Sequence, residues 1–144
     1  MRLFEAIDPG FNPKEQWRPI VGWQGYEVSN LGRVRNASGR VLKPQIHYGR
    51  SKEVPYLRVQ LTQPGMRKNR RINRLVAQAF VPNPNKYPEV DHIDGNTLNN
   101  KAINLEWVTP EENIRRKNER AVELQNRSND RLNKLQKRTQ RKVA

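Results

Sequence analysis

The chain has 144 residues, enough for one compact domain with an extension, and its 34% hydrophobic residues plus eight Gly fall short of the ~45–50% usual in globular chains. Its formal charge of +14, from 28 Lys and Arg against 14 Asp and Glu, makes a polyanion the default partner. With no cysteine, disulfides and thiolate zinc sites are excluded; no run approaches the ~18 apolar residues of a spanning helix, and MRLFEAIDPGF lacks the apolar stretch of a signal peptide.

Residues 1–16 hold the turn-formers Asp8-Pro9-Gly10 and Asn12-Pro13 and read as a loosely attached arm. All three Trp and all four Tyr fall within 17–109, where a core can form. Tyr26-Glu27-Val28-Ser29 reads as a short strand, Asn30-Leu31-Gly32 as a turn, and Arg33-Val34-Arg35 as a second strand. A third strand is expected over Gly39-Arg40-Val41-Leu42-Lys43. From Tyr56 to Leu61 apolar and polar residues alternate, the mark of a half-buried strand whose outward set includes Arg58 and Gln60. Pro64-Gly65 marks a turn. Asn73 to Phe80 reads as a short helix with Leu75, Val76, Ala79 and Phe80 on its apolar side, ended by Pro82-Asn83-Pro84-Asn85.

Residues 110–144 contain no aromatic and no Gly and read as one long helix. Thr109 suits the N-cap, Pro110 the first helical position and Glu112 the third, which together make a capping box. Beyond Ile114 the apolar stripe is thin (Ala121, Val122, Leu124, Leu132, Leu135), and a heptad begun at Ala121 next meets Ser128, so a stable coiled coil is not supported. Basic residues outnumber acidic ones by eleven to five here, so the helix is either solvated or laid against a polyanion.

The segment Glu89 to Asn113, EVDHIDGNTLNNKAINLEWVTPEEN, carries the chemistry. Val90-Asp91-His92-Ile93 reads as a strand, Asp94-Gly95-Asn96 as a turn, and Asn104-Leu105-Glu106-Trp107-Val108 as a second strand leading into the helix. Phosphodiester cleavage needs a hard divalent ion on oxygen ligands and a base with a pKa near neutrality. Asp91 and the amide oxygen of Asn113 are such ligands, and His92 is such a base. Neighbours on a regular strand point to opposite faces, so Asp91 and His92 serve one site only if the strand ends or bulges there.

DHIDGN, NN, NLEWVT and EEN together resemble the HNH nuclease motif of phage and intron-encoded homing endonucleases. The upstream NRLVAQAFVPNP is similar to the stretch that precedes that motif, and WRPIVGWQGYEVSNLGRVRN resembles the small DNA-binding module attached to such nucleases. The resemblance covers residues 17–113, about two thirds of the chain. It implies an α+β fold: a small antiparallel β-sheet module at 17–66, a ββα-metal unit at 67–117 and a basic helical extension at 118–144. By the same resemblance Asp91 and Asn113 are metal ligands, His92 is the general base, and Asn104 pins the loop between the strands and helps to orient His92. The implied metal is Mg²⁺, with Mn²⁺ as the alternative, and the implied products carry 5′-phosphate and 3′-hydroxyl ends. Two departures stand out. Asn73 replaces a His of the usual HRLVA, and some relatives end in a helix-turn-helix that residues 118–144 do not show.

The expected DNA contacts are Arg33 and Arg35, which share a strand face, the outward Arg58, the cluster Arg67, Lys68, Arg70 and Arg71, then Arg74, and Arg115 and Arg116 on the long helix. Asp94 and Asn96 read as turn-formers, Asn99 and Asn100 as loop residues, Trp107 as core and His47 as a surface residue. The expected activity is nicking or cutting of double-stranded DNA by a monomer, in the cytoplasm of a bacterial or phage-infected cell. The competing readings are a non-catalytic DNA-binding protein that keeps the fold, with Asn73 as its support, and an RNA-binding or packaging accessory.

Overall fold

The computed structural model describes residues 12–50 and 52–143, so most of the expected arm at 1–16 lies outside the described residues. The chain divides into two compact units, one ending at Val108 and one beginning at Thr109.

In the first unit, β1 (Trp17–Pro19), β2 (Glu27–Ser29) and β3 (Val34–Arg35) form an antiparallel sheet in that order. The β2–β3 turn is the expected Asn30-Leu31-Gly32, with Gly32 at φ +87°. The third strand expected over 39–43 shrinks to one bridge between Arg35 and Val41. There the Asn36 side chain accepts the backbone N–H groups of Ser38 and Arg40 and holds the segment as a turn.

A second antiparallel sheet runs β4 (Gln45–Tyr48), β5 (Pro55–Gln63), β6 (Met66–Arg71). Its centre is the alternating segment read from the sequence. Val59 and Leu61 are buried on one face, and Arg58 and Gln60 lie on the other. β6 is an edge strand with all six residues exposed, so it carries no hydrophobic alternation; pairing with β5 makes it a strand.

Helix α1 (Ile72–Phe80) follows, then β7 (Glu89–His92), a short 3₁₀ turn (Ala102–Asn104) and β8 (Leu105–Val108), with β7 and β8 paired antiparallel. Ile72, Leu75, Val76 and Ala77 of α1 join Ile20, Trp23, Val28 and Val34 of the first sheet, Val59 and Leu61 of the second, and Leu105 of β8 in one hydrophobic cluster. Both sheets and the β7–β8 hairpin therefore share a core. The guanidinium of Arg18 donates to the Ala79 carbonyl at 2.6 Å and lies 4.6 Å from the Phe80 ring centre, tying β1 to the end of α1.

The second unit is α2 (Pro110–Val143), a 34-residue helix. The Glu112 N–H donates to Thr109 Oγ1 at 3.2 Å, the cap expected from the sequence. No helix among the described residues is long and apolar enough to cross a membrane. The fold class is α+β.

Leu61 is fully buried and Val21 is 95% exposed. Leu61→Ala is expected to cost about 2–5 kcal/mol in urea denaturation, and Val21→Ala to stay within about 0.5 kcal/mol of the parent.

Candidate active site and nucleic-acid interface

β7 stops at His92. The Ile93 N–H donates to the Asn104 carbonyl at 2.8 Å, the Gly95 N–H donates to the His92 carbonyl at 2.8 Å, and Gly95 takes φ +76°. The chain thus leaves the strand directly after the imidazole. Both residues are buried, each 4% exposed.

Asn104 ties the loop together. Its Oδ1 accepts the Asp94 N–H at 3.0 Å, and its Nδ2 donates to Asp94 Oδ1 at 2.9 Å and to the Asn99 carbonyl at 2.8 Å. Asp94 completes the network by accepting the Asn96 N–H at 2.8 Å and the Asn99 amide at 2.9 Å. The Asn99 amide, the Asn96 N–H and the Asn104 amide hold the Asp94 carboxyl below its ordinary 3.8. Asp94 and Asn96 are thus turn-formers. Asn100 is within hydrogen-bond distance of the catalytic-candidate ring, its Oδ1 lying 2.8 Å from His92 Nε2. Read in isolation, an Asn in an Asn-rich loop carries no signal for that role; burial of Asn100 to 5% exposure reveals it.

Asn113 lies in the first turn of α2, where it is buried. Among the described residues no three His, Asp or Glu side chains form a metal-holding group. A carboxylate oxygen such as that of Asp91, or an amide oxygen such as that of Asn113, is the donor type that a hard cation of the Mg²⁺ kind takes. Asn73 is buried, and its Oδ1 accepts the Arg74 N–H at 2.9 Å at the start of α1. Trp107 packs against the core and donates from Nε1 to the Val81 carbonyl at 3.0 Å.

The basic residues fall into distinct surroundings. Pairing places Gln45, Arg58 and Arg71 in one row across the second sheet, Gln60 beside Asn69, Thr62 beside Arg67, and His47 beside Tyr56. Strand alternation puts these residues on the face opposite Val59 and Leu61, and among the described residues that face has no Asp or Glu. Lys68 and Arg70 are opposite Leu61 and Val59, so the sequence cluster 67–71 splits between two faces. The Arg70 guanidinium lies 5.5 Å from the Trp23 ring centre. An open cleft of about 480 Å³ there is lined by Ile20, Trp23, Asn69, Arg70, Arg71 and Arg74, among others. Arg71 also sits 4.3 Å over Tyr56, whose ring centre is 6.5 Å from that of His92.

Other arginines have acidic or backbone partners. Arg33 is paired with Glu15 at 2.6 Å and Arg35 with Glu27 at 3.0 Å, and both flank the Trp17 ring, so a phosphate must compete with two carboxylates there. Arg74 donates to the Pro88 carbonyl at 2.8 Å and lies 5.5 Å from the Trp107 ring centre, bracing the hairpin. On α2, Arg115 pairs with Glu112 and Glu119, and Arg116 with Glu112. Hydrogen bonds from Arg115 and Arg116 hold Glu112 down to about 2.

Because folding lowers the Asp94 pKa, its contribution to stability is in place above its ordinary value of 3.8 and is lost as pH falls through the lowered folded value. Asp94→Asn is expected to flatten the acid limb of stability against pH, read from urea midpoints across that range.

Residues 15–62 match the NUMOD4 motif and residues 70–115 match the family described as HNH endonuclease. Two HNH endonucleases of Acanthamoeba polyphaga mimivirus are 38% and 39% identical, over 68% and 69% of this chain and 28% and 25% of their own. A Bacillus subtilis SPbeta prophage-derived protein, named as an HNH homing endonuclease, is 52% identical over 32% of this chain and 27% of its own. The chain thus spans about a quarter of the length of these relatives. The solved structure of the HNH homing endonuclease I-HmuI superposes with a TM-score of 0.63 at 36% identity, over 74% of this chain and 59% of that one. The strand that ends on an aspartate and a histidine, the pinned loop and the start of the helix thus lie in an HNH endonuclease family segment, with a NUMOD4 motif ahead of it.

Proposed function

We propose that this chain is a metal-dependent endonuclease that hydrolyses phosphodiester bonds in double-stranded DNA. The observation that carries the reading is the buried Asp91–His92 pair at the end of β7, reached through Tyr56 and Arg71 from an acid-free basic sheet face. Asp91 and Asn113 are the proposed ligands of Mg²⁺, with Mn²⁺ as a substitute. When bound, the ion neutralises the scissile phosphate and the departing oxygen. His92 takes the proton of the attacking water. The water oxygen bonds to phosphorus as the P–O3′ bond breaks, and the departing oxygen takes a proton from solvent, leaving a 5′-phosphate and a 3′-hydroxyl.

The structurally similar I-HmuI binds and cleaves DNA. For this chain, the outer face of the second sheet has the side chains that such a partner needs. Arg58, Arg67 and Arg71 suit phosphates or guanine edges, and Gln45, Gln60 and Asn69 suit adenine edges. Lys68, Arg70, Arg115 and Arg116 add positive charge, and Arg33, Arg35 and Arg74 contact DNA in so far as it displaces their present partners. One such site acts on one strand, so a monomer nicks. The natural setting is the cytoplasm of a bacterial or phage-infected cell.

The test is nicking of supercoiled plasmid. Wild type is expected to cut with Mg²⁺ and to stop when EDTA is added, and His92→Ala to lose about 10²–10⁴-fold in rate. Equal cutting by both proteins sinks the assignment of the base. Tight DNA binding without cutting at any Mg²⁺ or Mn²⁺ concentration would establish instead a DNA-binding protein that keeps the fold.

The sheet face has its own measurement. Arg67→Ala with Arg71→Ala is expected to reduce the slope of log K against log salt by about 2 for duplex DNA, since each phosphate contact contributes about 0.9. An unchanged slope removes the face from the interface.

A further inference from the structure

We propose that the β2–β3 turn of the first sheet belongs to the active site. Through Asn100 it holds the His92 ring and fixes which ring nitrogen carries the hydrogen, so that Gly32 and Asn100 are positioning residues for the base. The inference rests on the nuclease reading above.

The contact begins at the turn. Gly32 has φ +87°, and a Cβ there would lie 3.1 Å from the Asn100 Cβ, 3.1 Å from its carbonyl oxygen and 3.2 Å from its carbonyl carbon. Two of those atoms are backbone, so the clash has no flexible side-chain end to absorb it. Beside this approach the Ala102 N–H donates to the Asn30 carbonyl at 2.8 Å. The turn itself is fixed. Ser29 is fully buried, and its Oγ accepts the N–H groups of Leu31 and Arg33 at 3.2 and 3.1 Å. Asn30 Oδ1 accepts the Gln16 N–H at 2.8 Å. A rigid turn from the segment matching the NUMOD4 motif therefore seats the backbone of Asn100, inside the segment matching the HNH family.

From that backbone the Asn100 side chain reaches His92, with Oδ1 2.8 Å from Nε2 and both residues about 95% buried. A carbonyl oxygen accepts, so Nε2 must donate and the neutral ring's basic lone pair sits on Nδ1. The Asn100 Nδ2 is buried with no hydrogen-bond partner, so the contact to His92 is the bond this side chain makes among the described residues. Keeping an amide with an unsatisfied donor is unfavourable for stability. That cost is offset by the acceptor it gives the buried Nε2–H of His92, so the side chain's role centres on the ring.

The experiment compares wild type with Asn100→Leu, Asn100→Asp and Gly32→Ala in three readouts: plasmid nicking with Mg²⁺, duplex DNA affinity, and the ¹H–¹⁵N spectrum of the imidazole at mildly alkaline pH. Asn100→Leu keeps the branching of the side chain and removes the acceptor. It is expected to stay folded, to bind DNA within about threefold of wild type, and to lose about 10–100-fold in kcat. Its His92 ring is expected to lose the single Nε2–H tautomer seen in wild type. Asn100→Asp keeps an acceptor and is expected to regain most of the lost rate. Gly32→Ala is expected to disturb the His92 signal as well, and if it fails to fold, Asn100→Leu still decides. Wild-type nicking by Asn100→Leu, or a hydrogen on Nδ1 in wild type, overturns the proposal. If wild type cuts nothing, the nuclease reading falls, and the tautomer comparison still settles whether Asn100 holds the ring.

Discussion

A β-strand turns each successive side chain to the opposite face, and the chemistry assigned to this protein needs two successive residues in one place. β7 ends at His92, with Asp91 and His92 opposite Glu106 and Leu105. What ends it is a set of hydrogen bonds centred on Asn104, whose side chain holds the Asp94 backbone, the Asp94 carboxylate and the Asn99 carbonyl together. That knot closes the loop directly behind His92. Asn104 thus acts on the loop that follows the strand.

Charge alone describes the surface poorly. A formal +14 suggests a uniformly basic protein, yet several arginines are committed. Arg33 and Arg35 serve Glu15, Glu27 and the Trp17 ring, Arg74 braces Pro88 and Trp107, and Arg115 and Arg116 hold Glu112. The exposed Arg115–Glu112 pair contributes little to stability, so a polyphosphate can compete for it, whereas Glu15 is buried beneath Arg33. The outer face of β4, β5 and β6 differs because it carries no carboxylate among its described residues. Its mixture of Arg, Gln, Asn and Thr is suited to both phosphates and base edges. The same sheet delivers Tyr56 to the neighbourhood of His92, which links grip and chemistry within one element.

Much of this was legible in the residues. The alternation from Tyr56 to Leu61, the Gly32 and Gly95 turns and the Thr109 cap all act locally, so sequence spacing reports them directly. The DHIDGN and NLEWVT segments located β7, the loop and β8 within a residue or two. Long-range effects were not legible. β6 is a strand only because β5 pairs with it, and its sequence MRKNRR looks like nothing more than a charge run. The expected strand at 39–43 lost to a side-chain turn made by Asn36. The importance of Asn100 depends on Gly32, 68 positions away, and on burial that no pattern encodes.

The central claim is that one hard cation is held by Asp91 and Asn113 beside His92. Anomalous diffraction from a crystal of the protein with duplex DNA and Mn²⁺ addresses it directly. The predicted map has one manganese peak bonded to the Asp91 carboxylate, the Asn113 amide oxygen and a DNA phosphate, with the His92 ring next to a water in line with the scissile bond. A manganese peak bound elsewhere, or Asn113 turned away from Asp91 in the DNA complex, would contradict it.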